Sequence, residues 1–305
     1  PISLVTGIVI TAIGLALLPV GIKYASGGAA AFQMNAPEWG DFSRWGLALV
    51  VIFVALGFKF FTRGTMSSAA ILIGLIAGYV VGYLTGAVNF GGVAKAAWFA
   101  VPQPFKYGVE FSAFAIIGMC LMSLVSAIET VGDISGIAKG GANREATDKE
   151  LSGGTYADGF GSFIAGLFGG LPNTSFSQNV GLISMTGVMS RSVVTLGALF
   201  LVACGLIPKV GAVVAAMPIS VLGGGVIVMF GMVVSAGINM LSDVHWNRRN
   251  MIILAMSLSV GLGIQAVPKS MQHLPDSFEM LMVSGLLPAA AISVILNLLI
   301  PKDID

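Results

Sequence analysis

From residue 2 to residue 300 the sequence is a succession of long apolar runs joined by short polar connections. Runs at 2–22, 45–61, 66–88, 111–137, 213–238, 251–267 and 280–300 approach or exceed the roughly 20 mostly apolar residues that a helix needs to cross a bilayer. In hydrocarbon a lone segment must satisfy its own backbone hydrogen bonds, which favours the helix. The sequence therefore predicts an all-α polytopic membrane protein, with the lipid bilayer as its first partner. Charged residues make up 10% of the chain, against about 25% in a soluble domain. So little charge cannot coat a water-facing surface of this size. The 41 glycines fit the same reading, because small residues let membrane helices approach closely. A net charge of +1 gives no electrostatic basis for binding nucleic acid.

Between residues 137 and 213 the pattern breaks. Residues 159–171 are short and glycine-rich, 178–188 are short again, and 192–207 form a modest span. The resulting order is three long segments, four that include broken ones, and three long segments. Many transporters are built as two inverted repeats with broken helices at matching places. If the last seven segments form one repeat, the first three are the tail of the other, and about four spans would precede Pro1. No charged leader precedes the first apolar run, so Pro1 reads as a cut point inside a larger protein rather than the end of a signal peptide. With the C-terminus in the cytoplasm, nine Lys and Arg residues fall in inner loops and six in outer loops. That bias favours this orientation.

Two acidic residues stand inside an apolar run. Glu129 and Asp133 lie one helical turn apart, on one face of the fourth span. Carboxylates at membrane depth are expensive and usually face a cavity, where they mark a pathway. Two of them this close resist being ionised together. The plain alternative is a hydrated Asp133 near the membrane interface. Asp158, at the start of the fifth segment, suits either a functional role or a helix N-cap. A second feature is Leu171-Pro172-Asn173-Thr174-Ser175-Phe176-Ser177-Gln178-Asn179. Pro172 biases Leu171 away from helix, Thr and Phe favour a short strand, and Ser177 suits an N-cap for a helix starting near Gln178. Non-helical backbone at membrane depth is tolerated where it is buried in protein or lines a cavity. A carboxylate on one helix and a carboxamide beside free N–H groups on another could grip a flat polar heterocycle.

Other features read as structural. Gly74, Gly78, Gly82 and Gly86 recur every fourth residue and suggest a helix–helix contact face, as do Gly166 and Gly170. Cys120 and Cys204 sit in apolar runs and read as packing residues. His245 and His273 are too dispersed to form a ligand pair, so no metal or other cofactor is expected.

Residues 178–187, Gln-Asn-Val-Gly-Leu-Ile-Ser-Met-Thr-Gly, resemble the signature of the nucleobase–ascorbate transporters (the nucleobase:cation symporter 2 family), Gln/Glu-Asn-x-Gly-x4-Thr-Arg/Lys/Gly. The stretch from Glu129 to Asp133 resembles the acidic helix motif of that family, and Tyr156-Ala157-Asp158-Gly159 the start of its next helix. The likeness runs over essentially the whole chain. It implies fourteen spans in two inverted sevens, divided into core and gate domains, with a short strand in each broken helix. The chain would then begin at the fifth span. Residues 1–90 would be gate spans of the first repeat, 108–208 core spans of the second, and 212–300 its gate spans. Glu129 would accept hydrogen bonds from ring N–H groups of a base, and Gln178 would bind the opposite edge. Phe176 would pack on the ring, Asp133 and Asn179 would hold the geometry, and Asp158 would be essential without necessarily touching substrate. Gln178, where uracil-type members tend to carry Glu, tilts the substrate to a purine, xanthine or uric acid. The resemblance thus implies a proton-coupled purine symporter of the inner membrane, not an enzyme, dimeric through its gate spans.

Three rival readings follow. A uracil-type permease shares the architecture. So does a sulfate- or bicarbonate-type anion transporter, but Glu129 and Asp133 would repel an anion. A membrane hydrolase would need a nucleophile with its base, or a metal cluster.

Overall fold

The computed structural model describes residues 2–176, 179–180, 183 and 188–301. Its helices in chain order begin with α1 (Ile2–Ala25), α2 (Ala29–Gln33), α3 (Phe42–Phe61), α4 (Thr65–Ser68), α5 (Ala70–Leu84) and α6 (Gly91–Lys95). Next come α7 (Ala113–Ala142), α8 (Asp148–Leu167), α9 (Arg191–Gly205) and α10 (Pro208–Ala215). The last are α11 (Ile219–Ser242), α12 (Arg248–Ala266), α13 (Asp276–Val283) and α14 (Leu286–Leu299). Among the described residues, α1, α3, α7, α11 and α12 are each long and apolar enough to cross a membrane. The chain is therefore a multi-pass, all-helical membrane protein.

Local chemistry sets the helix ends. Asp41 caps α3 by accepting from the Phe42 N–H, and Asn143 closes α7 in the left-handed conformation (φ 50°). Thr147 and Glu150 form a reciprocal capping box that starts α8 at Asp148. The fifth segment is thus a 20-residue helix, longer than its apolar part suggests, because the cap recruits a polar first turn. α9 and α10 meet at an 86° bend. Pro208 opens α10 and holds Ile207 out of helical geometry (φ −115°, ψ 89°). The span expected at 280–300 is also broken: Gly285, at φ 72°, separates α13 from α14. The short strand expected near Asn173 is not formed. Among the described residues no neighbouring strand offers a ladder, and the backbone is bonded by a side chain instead, as described below.

The chain divides into two compact units. One comprises Pro1–Ala16, Gln103–Gly187 and Gly231–Asp305; the other comprises Leu17–Pro102 and Val188–Phe230. In the first unit the start of α1 is the central element. Leu4 and Ile8 pack with Leu241, Val244 and Ile253, while Val5 and Val9 pack with Val125, Leu287 and Ala290. A helix apolar on all sides is expected to be surrounded in this way. Glycines make the approach close. A side chain at Gly132 of α7 would run into Thr6, and one at Gly237 of α11 into the backbone of Thr11.

In the second unit Leu47, Val51 and Val221 form the core. Gly74 and Gly78 of α5 lie against Val51 and Ala55 of α3, and Gly82 lies against Pro218. The expected glycine contact face is therefore real at these three positions. Gly86 instead turns the chain after α5 at φ 74°, and Gly166 of α8 faces open space.

Candidate functional site

α7 carries the centre of the site. Its Glu129, Thr130, Gly132 and Asp133 are all buried. The i, i+4 spacing puts both carboxyls on one face, and α8 packs beside it. After α8 the chain turns at Gly169 (φ 71°) and returns without regular structure through residues 170–176.

This returning segment solves its backbone problem with one side chain. The Ser162 hydroxyl of α8 accepts from the Asn173 N–H at 2.8 Å and lies 3.1 Å from the Asn173 carbonyl, to which it donates. A single hydroxyl thereby serves both main-chain groups of Asn173, as a neighbouring strand would. Gly161 leaves room for the Asn173 side chain: a Cβ there would sit 2.9 Å from its Nδ2.

The next two residues reach α7. Thr174 donates its hydroxyl to Glu129 Oε2 at 3.1 Å, and Ser175 donates to Asp133 Oδ2 at 2.6 Å. Adjacent residues of an extended segment thus hold carboxylates one helical turn apart. Asp158 belongs to the same cluster. Its Oδ2 receives the hydroxyls of Ser126 at 3.1 Å and Thr130 at 3.0 Å, and Ser126 also lies 3.0 Å from the Thr174 hydroxyl.

Asp158 is therefore not an N-cap. It stands mid-helix in α8, whose cap is Thr147, and it faces the polar side of α7. Phe176 is the last residue of the segment, half exposed, and the Asn179 N–H donates to the Phe176 carbonyl at 2.9 Å. Gln178 and Ser177 lie outside the described residues. The structure thus brings Glu129, Asp133 and Asp158 together with the start of the broken segment.

Sequence reasoning missed the hydroxyls. Ser126, Thr130, Ser162, Thr174 and Ser175 join the carboxyls to the segment, yet singly each reads as an ordinary helix or loop residue. A signal was present: Ser126 and Thr130 share the i, i+4 spacing of Glu129 and Asp133, and the two pairs form adjoining stripes on α7.

The chain matches the permease family over residues 3–270. It is 39% identical over 300 residues to a putative purine permease of Clostridium perfringens, covering 98% of this chain and 65% of that protein. A xanthine permease of Bacillus subtilis is 36% identical, with 96% of this chain and 66% of the relative covered. A uric acid permease of the same organism is 35% identical with the same coverage. The chain spans about two thirds of the length of the curated relatives it matches. These matches are to transporters, which sets aside the hydrolase reading. The chain belongs to this permease family, as its resemblance to the nucleobase–ascorbate transporter signature implied.

Proposed function

We propose that this chain is part of a secondary transporter that imports a purine base, xanthine or uric acid, by proton symport across the inner membrane. The observation that carries the reading is the pair of carboxyls on α7, each held by a hydroxyl of the unwound segment. A flat base offers ring N–H groups to carboxylate oxygens and ring carbonyls to amide donors. Glu129 would accept from the ring, Gln178 would bind the opposite edge, and Phe176 would stack on the face. Glu129 would also exchange the coupled proton as the site opens to each side, while Asp133, Asn179 and Asp158 would serve the site geometry or the proton coupling without necessarily touching the base. The names of the relatives, purine, xanthine and uric acid permeases, point the same way.

The same reading assigns residues 1–90 and 212–300 to gate spans and 108–208 to a core that rocks against them in alternating access. It places the C-terminus in the cytoplasm and the dimer contact on the gate spans. A sulfate-type anion exchanger of the same architecture is disfavoured, because its substrate has no ring N–H groups to offer two buried carboxyls that would otherwise repel it.

The test is uptake of labelled xanthine and urate by the complete protein and by Glu129→Gln, across a range of pH. Loss of uptake together with a flattened pH profile is expected. Unchanged transport with an unchanged profile would remove Glu129 from the mechanism. Competition by a panel of purines, with uracil included, decides the substrate.

A further inference from the structure

Four short oxygen–oxygen contacts join Asp158 to Glu129. They are Asp158–Thr130 at 3.0 Å, Asp158–Ser126 at 3.1 Å, Ser126–Thr174 at 3.0 Å and Thr174–Glu129 at 3.1 Å. Each needs a hydrogen between its oxygens to be attractive. The three hydroxyls of Ser126, Thr130 and Thr174 supply one hydrogen each. With both carboxyls ionised, one contact of the four must therefore hold no hydrogen and set lone pair against lone pair. One added proton, on either carboxyl, fills all four.

Ser126 is the point of ambiguity. Its single hydrogen has two acceptors within reach, Asp158 Oδ2 and Thr174 Oγ1. When Asp158 is ionised, Ser126 donates to it. When Asp158 carries the proton, Asp158 donates to Ser126, Ser126 turns to Thr174, and Thr174 donates to Glu129. Both arrangements fit the same heavy-atom positions.

We infer that Ser126 and Thr174 form a proton relay between Asp158 and Glu129. The Asp158 carboxyl gives its hydrogen to Ser126 Oγ. Ser126 passes its own to Thr174 Oγ1, and Thr174 passes its own to the Glu129 carboxylate. Asp158 ends as a carboxylate, Glu129 as a neutral acid, and both hydroxyls end with their bonds reversed. Thr130 takes no part in the transfer; its hydroxyl holds Asp158 Oδ2 in place. The acidic groups facing one another across α7, α8 and the unwound segment are Glu129, Asp133 and Asp158, with Asp133 occupied by Ser175. The inference rests on the proton-symport reading and deepens it: a proton taken up at Asp158 would reach the carboxyl proposed to bind the base.

The test uses the complete protein in proteoliposomes containing a pH-sensitive dye. Purine accumulation driven by a proton gradient is compared with purine exchange at equal pH on both sides. Proton movement coupled to purine in the wild type tests the symport reading by itself; its absence would overturn that reading and the relay with it. With coupling present, Ser126→Ala and Thr174→Val should lower gradient-driven accumulation about tenfold or more relative to exchange. The hydroxyl-keeping variants Ser126→Thr and Thr174→Ser should recover most of it. Wild-type protons per purine and an unchanged pH profile in Ser126→Ala and Thr174→Val would refute the relay alone. So would an equal loss in the hydroxyl-keeping variants, since space rather than a transferable proton would then be what matters.

Discussion

Ser175 donates its hydroxyl to Asp133 across 2.6 Å, a short bond that fastens the unwound segment to a membrane-spanning helix. Hydroxyl-to-carboxylate bonds of this length are among the stronger ones a protein makes. In the sequence the bond lies two residues before Ser177 and three before Gln178, so it anchors the chain just ahead of the signature stretch.

Removing it should loosen the site without emptying it of charge. A hydrogen bond to a charged group is worth about 1.5–3 kcal/mol, an effect of about ten- to a hundredfold on an equilibrium. Ser175→Ala in the complete protein should therefore raise the KM for purine by about tenfold or more, with protein level in the membrane unchanged. Ser175→Thr keeps the donor and should stay near wild type. Uptake kinetics on all three forms decide the matter; equal KM values would show that the segment is held by something other than this bond.

Two glycines offer a matched pair on neighbouring helices. Gly132 faces Thr6 so closely that an added methyl collides with it, whereas nothing stands within 4 Å of a methyl at Gly166. Gly132→Ala should force α1 and α7 apart and lower the apparent melting temperature in detergent, at a cost of about 1–3 kcal/mol for overpacking. Gly166→Ala should be neutral or stabilising by up to about 1 kcal/mol, the helix-propensity gain of Ala over Gly. Fluorescence-detected size exclusion after heating separates the two, and a milder effect at Gly132 than at Gly166 would contradict the packing described.

What could be read from sequence and what could not divide along a physical line. Apolar length marked most of the spans, and the i, i+4 carboxyls marked the face of α7 that the returning segment meets, because both are properties of a single helix. The break at Gly285 and the bend at Pro208 were harder. Each interrupts an apolar run whose composition hardly changes, and backbone geometry at one residue decides it. The strand expected near Asn173 failed for a related reason. Thr and Phe favour extended backbone, which the segment has, but a strand needs a partner, and here Ser162 takes that place. The 32 residues that separate Ser126 from its hydrogen-bond partner Asp158 show why the hydroxyl cluster stayed hidden. A donor's partner lies in the fold and not in its neighbours.

The start of α8 carries a prediction about pH. Arg144 donates to both carboxylate oxygens of Glu150, at 2.8 and 2.6 Å, and Thr147 adds its N–H and hydroxyl. The Arg144 guanidinium first, and Thr147 after it, hold the Glu150 carboxyl well below the usual carboxylate range. A carboxyl depressed on folding stabilises the folded state above its unfolded pKa, and that contribution is lost as pH falls through the folded value. Between pH 5 and pH 8, where uptake would be assayed, Glu150 thus stays ionised and contributes a constant amount. Glu150→Gln should leave the shape of the uptake–pH profile unchanged. Hydrogen exchange at the amides of residues 147–152 should rise, relative to its intrinsic rate, only as pH falls below the ordinary carboxylate range, and progressively from there. A profile that shifts in this variant would show that the loop, and not the carboxyls on α7, sets the pH response.

Arg249 makes the last prediction. It is buried, and it lies in the first turn of α12, the end of a helix where a cation is least welcome. Its partners explain the position. The guanidinium donates to the carbonyls of Asn297 and Ile300 at 2.6 and 3.0 Å, and to the side-chain oxygens of Asn297 and Asn250 at 3.2 and 3.0 Å. It therefore caps the C-terminus of α14, where carbonyls lack helical partners and positive charge is favoured. It acts as a staple between two helices of one unit. Arg249→Met should leave these carbonyls without a donor and cost about 3 kcal/mol or more. Arg249→Lys should recover only part of this, because an ammonium is a point donor and cannot match a planar fork. Thermal unfolding of the complete protein in detergent should rank wild type above Lys and Lys above Met. Equal melting points for Arg and Lys would mean that charge alone, and not the fork, closes the end of α14.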